Sequence, residues 1–165
     1  MTDTKAARGN RSDETSMPSL MKIEVIRLTP EQANRAADVL LSVDQVQTDQ
    51  SHLRSFLADS RNYFVAASVQ ERWIGYAIGY ELPHPERPAG MLFLYSIDVA
   101  ANHRRKGVGS RIIKFLRSIA ETRHLAEVFV FTNHSNPAAV AFYKQTGGMI
   151  KNGDDLLFVY PTSNG

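Results

Sequence analysis

The chain has 165 residues, enough for one domain with a single continuous core. Its 43% hydrophobic and 22% charged content is that of an ordinary globular protein, and a formal charge of +2 permits nucleic-acid binding without suggesting it. The lack of cysteine excludes disulfides, thiolate metal sites and a cysteine nucleophile, and no apolar run approaches the ~20 residues of a membrane span.

Residues 1–20 are polar and aperiodic and read as a disordered extension, leaving 21–165 as one domain. They hold no apolar signal core, so the expected location is cytoplasmic. The stretch MKIEVIRL then suggests a first strand, with Ile23, Val25 and Leu28 inward. Thr29-Pro30-Glu31-Gln32 is a helix start: threonine can cap, proline suits the first turn, and Gln32 sits where a capping box wants it. Ala33, Ala36, Ala37, Leu40 and Leu41 follow at helical spacing as one buried stripe. A short helix near 50–59, with Leu53, Phe56 and Leu57 inward, comes next.

NYFVAASV and WIGYAIGYEL read as antiparallel strands joined at Gln70-Glu71-Arg72. The proline-rich PHPERPAG is a loop. MLFLYSIDV, almost entirely apolar or β-prone, resembles a buried central strand. Residues 107–122 form a helix with Val108, Ile112, Phe115, Leu116 and Ile119 inward and Arg111, Lys114 and Arg117 outward. AEVFVFT is a further buried strand, Asn136-Pro137 opens a last helix that Gly147-Gly148 closes, and LLFVY is a final strand after Asp154-Asp155.

The chemistry concentrates where HRRKGVG joins the central strand to a helix. A helix N-terminus has unsatisfied N–H groups and about half a positive charge, so it attracts anions. Gly107 and Gly109 let a ligand approach the backbone, and Arg104, Arg105 and Lys106 add charge around the same mouth. On these residues alone two readings stand: a phosphate cradle, most naturally for a pyrophosphate, or a solvated basic loop with a glycine-rich turn. No Walker motif is present, and Ile112 stands where a dinucleotide fingerprint needs its third glycine.

The pattern left standing is Arg-x-x-Gly-x-Gly, formed by Arg104, Gly107 and Gly109. With NHSNPAAVAFYKQTGG, which supplies Asn136, Ala139, Phe142 and Tyr143 in an Asn-x-x-Ala-x-x-Phe-Tyr phrase, it resembles the GNAT superfamily of acyl-CoA-dependent N-acetyltransferases over about residues 22–160. The Leu-Pro loop and the Pro-Ala-Ala-Val-Ala phrase are most similar to the aminoglycoside 3-N-acetyltransferases. Two departures are visible: those enzymes carry an aspartate directly after the strand tyrosine, where this chain has Ser96 and then Asp98. Their acidic residues before the helix proline are here His134, Ser135 and Asn136.

The resemblance implies an α+β fold: a mixed, mostly antiparallel central sheet of six to seven strands, splayed at the central strand and flanked by about four helices. It implies acetyl-CoA as co-substrate, no metal, a small-molecule amine acceptor, and a homodimer as the family-level expectation. Backbone amides of Ile97, Asp98 and Val99 would meet the pantetheine and thioester, and those of Arg105, Lys106, Gly107, Val108, Gly109 and Ser110 the pyrophosphate. Tyr143 would be the general acid toward the CoA sulfur and Asn136 a pantetheine contact. From spacing alone, Tyr143 reads as a core aromatic.

Transfer to an amine needs a neutral amine, a donor for the oxyanion and a proton for the departing thiolate. Asp98, in a buried strand, reads as the base or an anchor for a cationic amine, or else as a structural aspartate satisfied by nearby amides or an arginine. Glu81 and Glu86, flanking the Leu-Pro loop, could gather a cationic acceptor or be solvated loop residues; Tyr95 and His134 complete the acceptor-side candidates. The functions open to the chain are therefore small-molecule N-acetylation, with an aminoglycoside among the acceptors, acetylation of a peptide, lysine or polyamine amine, a non-catalytic CoA-binding regulatory module, or RNA contact through the 104–123 basic face.

Overall fold

A computed structural model describes residues 22–151 and 153. The expected N-terminal extension, Asp154-Asp155 and the LLFVY strand lie outside the described residues. Strand β1 spans Ile23–Arg27, β2 Asn62–Val69, β3 Arg72–Leu82, β4 Met91–Val99 and β5 Val128–Val130. Helix α1 spans Ala33–Asp44, α2 Gln50–Ala58, α3 Val108–Thr122 and α4 Pro137–Gln145.

The sheet order is β1-β2-β3-β4-β5, so the first four strands form an antiparallel meander. Its tightest turn is Gln70-Glu71, where both residues take positive φ (48° and 62°), the twist that a two-residue hairpin favours. Strand β5 joins parallel to β4 after the α3 crossover. Five strands lie among the described residues, against the six to seven expected. The AEVFVFT segment contributes only Val128–Val130, because β5 pairs with β4 over Leu92–Leu94 and no further.

Each face of the sheet has its own core. On one, Tyr63, Val65, Ala67, Ile74, Ala77, Leu92 and Leu94 pack against Val108, Ile112 and Leu116 of α3. On the other, Phe64, Ala66 and Tyr76 pack against Ala33, Ala36, Val39 and Leu40 of α1 and Leu53 and Leu57 of α2. The Thr29 capping box forms, with the Thr29 N–H donating to Gln32 Oε1 at 3.1 Å, but it opens a 3-10 turn over Pro30–Gln32 before α1 begins. Leu41 is a correction to the expected stripe: it is 50% exposed, while Val39, on the side turned to β3, is fully buried. Helix α2 is capped by Asp49, whose Oδ1 accepts from the Ser51 and His52 amides. No helix among the described residues is long and apolar enough to cross a membrane.

Candidate active site

The site is organised by an irregularity in β4. Its pairing with β3 runs Leu94↔Gly79 and then Ser96↔Ile78, so Tyr95 is an extra residue with no partner. This is a β-bulge, which bends the strand and re-aims the residues after it. The side chains of Leu92 and Leu94 face α3. A regular strand would put Ser96 and Asp98 on that face too. Past the bulge it is instead Ile97 and Val99 that join the α3-side core, while Asp98 comes opposite Tyr76 on the α1 side.

The backbone is re-aimed in the same way. Leu92 N–H donates toward β5, to Glu127 O at 2.9 Å, whereas Ala100 N–H donates toward β3, to Ile74 O at 3.0 Å. Successive amides along a strand point to opposite edges. Val99 and Ile97 therefore direct their N–H and C=O groups away from β3, and Asp98 directs its own into the β3 ladder. Because β5 leaves β4 at Leu94↔Val130, no strand among the described residues pairs with that edge of Ile97 and Val99. The sheet is splayed there. Of the three expected backbone contacts, Ile97 and Val99 face the opening and Asp98 presents only its side chain.

At the end of β4 the Arg104 side chain folds back, donating from Nε to Val99 O at 2.8 Å. Arg105 and Gly107 take positive φ (59° and 80°) and turn the chain into α3. The first amide of the helix to find a carbonyl is that of Arg111, on Gly107 O at 3.1 Å. Among the described residues, no N–H from Arg105 to Ser110 has a hydrogen-bond partner. A Cβ on Gly107 would meet nothing within 4 Å, so this turn is open. Gly109 also meets a packing need: a Cβ there would lie 2.9 Å from Cζ and 3.0 Å from Cε2 of Phe142. Its bare Cα lets α4 sit against the start of α3.

Helix α4 brings the next two residues. Asn136 caps it, its Oδ1 accepting from Ala139 N–H at 3.1 Å, which leaves the amide NH₂ free to donate outward. Tyr143 is half-buried against the α3-side core. Burial first, and the Asp98 carboxylate second, hold its phenol above the ordinary value, so it keeps its proton at neutral pH. Tyr143 thus packs in the core, as the spacing expected, and also senses the Asp98 carboxylate.

Asp98 has a neighbour that the sequence did not reveal. Asp44, the last residue of α1, accepts a hydrogen bond from the buried Tyr76, which is opposite Asp98 in the sheet. Burial, then repulsion from Asp44, raise the Asp98 pKa, and Arg104 opposes them. A half-buried carboxyl with a raised pKa suits a group that must take a proton near neutrality. Asp44 could have been found only by noticing a carboxylate at a helix end; nothing in its spacing linked it to β4.

The other acceptor-side candidates separate. Glu81 faces α3 and is occupied: Oε1 accepts from Arg123 Nη2 at 3.0 Å, and Oε2 from Arg123 Nε at 3.1 Å and from Tyr63 OH at 2.7 Å. It is a structural carboxylate on the face opposite Asp98. Glu86 lies exposed in the 83–90 loop, its N–H donating to His84 Nδ1. His134 is exposed in the turn before Asn136, and Tyr95 projects 63% exposed from the bulge. A cavity of about 330 Å³ lies between α3, β5 and α4, bordered by Leu94, Ile113, Val130 and Tyr143. No residue of the 95–110 segment lines it, so it is distinct from the open turn at Gly107.

Comparison with known proteins agrees with this fold. An aminoglycoside acetyltransferase from an uncultured soil metagenomic sample, solved with unknown active-site density assigned to polyethylene glycol, superposes with a TM-score of 0.77 at 22% identity, covering 87% of this chain and 100% of that one. A second, in complex with sisomicin, gives 0.76 at 18% identity over 85% and 95%. Human N-acetyltransferase 8 is 25% identical over 114 residues, 68% of this chain and 50% of that protein, so the chain spans about half the length of this curated relative. The model of the Acetyltransferase (GNAT) family matches residues 27–148. That span runs from β1 through the splay, the glycine turn and α4, and the chain belongs to the GNAT family of acetyltransferases.

Proposed function

We propose that the protein moves the acetyl group of acetyl-CoA directly to a primary amine of a small molecule, with an aminoglycoside acetylated at its 3-amino group as the finer reading. The family uses acetyl-CoA. The observation that carries the reading is the run of unpartnered amides from Arg105 to Ser110, next to the edge of Ile97 and Val99 that no strand among the described residues pairs. Donors on an open turn at a helix N-terminus fit a diphosphate, and the exposed Arg105 and Lys106 belong to the same turn. The splayed edge fits an extended amide-bearing arm, to which Asn136 can add its free NH₂.

The roles follow from position. Ile97 or Val99 N–H polarises the thioester carbonyl, a donor fixed before reaction and so without reorganisation cost. Asp98 accepts the proton of the incoming ammonium, directly or through water, and its raised pKa brings it closer to that task. Tyr143 donates its phenolic proton toward the departing sulfur. Carboxylate and phenol lie on opposite sides of the opening, as a base for one reactant and an acid for the other should.

The test is a thiol-release screen with acetyl-CoA over aminoglycosides, polyamines, amino acids and peptides, alongside calorimetry with CoA. Release that depends on an aminoglycoside, with product acetylated at the 3-amino group, supports the full reading. Release with polyamines or peptides alone removes the aminoglycoside. CoA binding without release for any amine points to the regulatory module, and no CoA binding sinks the proposal.

A further inference from the structure

Around the bulge, an aromatic system crosses the sheet on the α1/α2 side. Phe56 of α2 meets Tyr80 edge-on at 5.9 Å, Tyr80 meets Tyr95 at 5.8 Å, and Tyr95 meets Phe93 at 6.0 Å. Phe93 stacks on Phe129 of β5 at 5.1 Å, and both meet Phe131 edge-on, at 5.7 and 5.8 Å. Two of its rings are left in water: Tyr95 is 63% and Phe131 66% exposed. Each leans nearly perpendicular on the same inner ring, Phe93, at 88° and 70°.

Packing of the folded chain does not require this exposure. A regular β4 would have no extra residue between Leu94 and Ser96, and the bulge is what adds Tyr95 there. Exposed apolar rings in a contiguous patch mark a surface that meets something. Edge-to-face contacts hold these rings in place, so a partner would find them already ordered.

Charge decides the kind of partner. Tyr95 and Asp98 are three residues apart on one strand, roughly 10 Å by strand rise. Asp98 shares its surroundings with Asp44, which is bonded to the Tyr76 opposite Asp98; burial and the Asp44 charge raise the cost of ionising Asp98, and Arg104 alone among the groups acting on it opposes them. A cation arriving there relieves that repulsion. A ligand that bridges both features has an ammonium group at one end and a rigid apolar face at the other.

We propose that Tyr95 and Phe131 form a stacking shelf for the acceptor, and that the acceptor is an amine carried on a saturated ring, an amino sugar or aminocyclitol, whose C–H face lies on the shelf while its ammonium faces Asp98 and Asp44. A flexible polyamine could satisfy the carboxylates but would have to be straightened and ordered to cover two fixed rings. The ring amine brings a face that is already rigid. This inference rests on the acetyl-transfer reading above and narrows its acceptor.

The experiment is calorimetry and saturation-transfer NMR on the full chain with saturating CoA, using tobramycin and spermidine as probes. The proposal expects tobramycin to bind more tightly than spermidine, and its ring C–H protons to receive saturation from the protein aromatics. Tyr95→Leu and Phe131→Leu should each weaken tobramycin about 3- to 10-fold, the range for one aromatic contact. Spermidine and CoA affinities should stay within about twofold, and Tyr95→Phe should restore tobramycin binding. Absence of tobramycin binding to the wild type, unchanged tobramycin affinity in both leucine variants, or an equal loss for tobramycin and spermidine would each overturn the shelf. A wild type that fails to bind CoA contradicts the acetyltransferase reading instead, and the same tobramycin comparison without CoA then still decides the shelf.

Discussion

Gly109 offers a sharp test because two explanations of the same residue predict different losses. If glycine is there so that a ligand can approach the backbone, Gly109→Ala damages CoA binding. The structure directs the missing Cβ at Phe142, 2.9 Å from Cζ and 3.0 Å from Cε2. Carbon atoms rest about 3.5–4.0 Å apart, so the ring must retreat by roughly 0.5–1 Å. Overpacking of this kind costs about 1–3 kcal/mol. Alanine in place of glycine inside a helix returns about 0.5–1 kcal/mol. The net loss is about 0–2.5 kcal/mol, or a Tm lower by up to roughly 10 °C for a chain of this size. CoA affinity, measured by calorimetry, should change less than about threefold, because the new methyl points away from the open turn. Phe142→Leu removes the colliding ring atoms, and the double variant should be less destabilised than the two single changes together imply. Unchanged Tm with a collapse of CoA affinity, and no recovery on adding Phe142→Leu, would refute the packing argument.

Other expectations concern the same site and its surroundings. Tyr143→Phe should lower kcat by about 10²-fold, the contribution of a positioned acid, with CoA Kd nearly unchanged in calorimetry; equal losses in both would make the tyrosine a packing residue. Asp44→Asn removes the like charge that helps raise Asp98, so the Asp98 pKa falls and the acidic limb of the kcat/KM profile should move to lower pH. Tyr76, Arg104 and Tyr143 also act around Asp98, and an unmoved limb would show that Asp98 is not the base. For Glu81, burial pushes the carboxyl up, but hydrogen bonds from Arg123 and Tyr63 outweigh it and the net shift is downward from 4.5. A depressed acid contributes stability above its ordinary range and loses it as pH falls through the folded value. Glu81→Gln should therefore lower Tm at pH 7, and the gap to wild type should close on acidification; a gap independent of pH would contradict the ion pair's role.

Local signals carried much of the fold. The β2 and β4 boundaries follow from apolar β-prone runs between turn residues, α2 from the spacing of Leu53, Phe56 and Leu57, and α4 from its Asn136 cap. Leu41 misled because helical spacing gives a stripe without saying where its edge meets the sheet. The glycine turn was legible because its chemistry is contiguous in sequence. The hidden features are long-range: Asp44 and Asp98 belong to different elements, as do Glu81 and Arg123, and Gly109 and Phe142. The bulge at Tyr95 carries no glycine or proline to announce it, yet it decides which side of the sheet Asp98 occupies.

The central claim is that the free main-chain donors of one turn and one splayed strand hold acetyl-CoA, and residue-resolved hydrogen exchange with and without that ligand tests it most directly. The account predicts slowed exchange at Arg105 through Ser110 and at Ile97 and Val99, with Asp98, already in the β3 ladder, little changed. Binding that leaves those amides exchanging as before, or that protects a different surface, would contradict it.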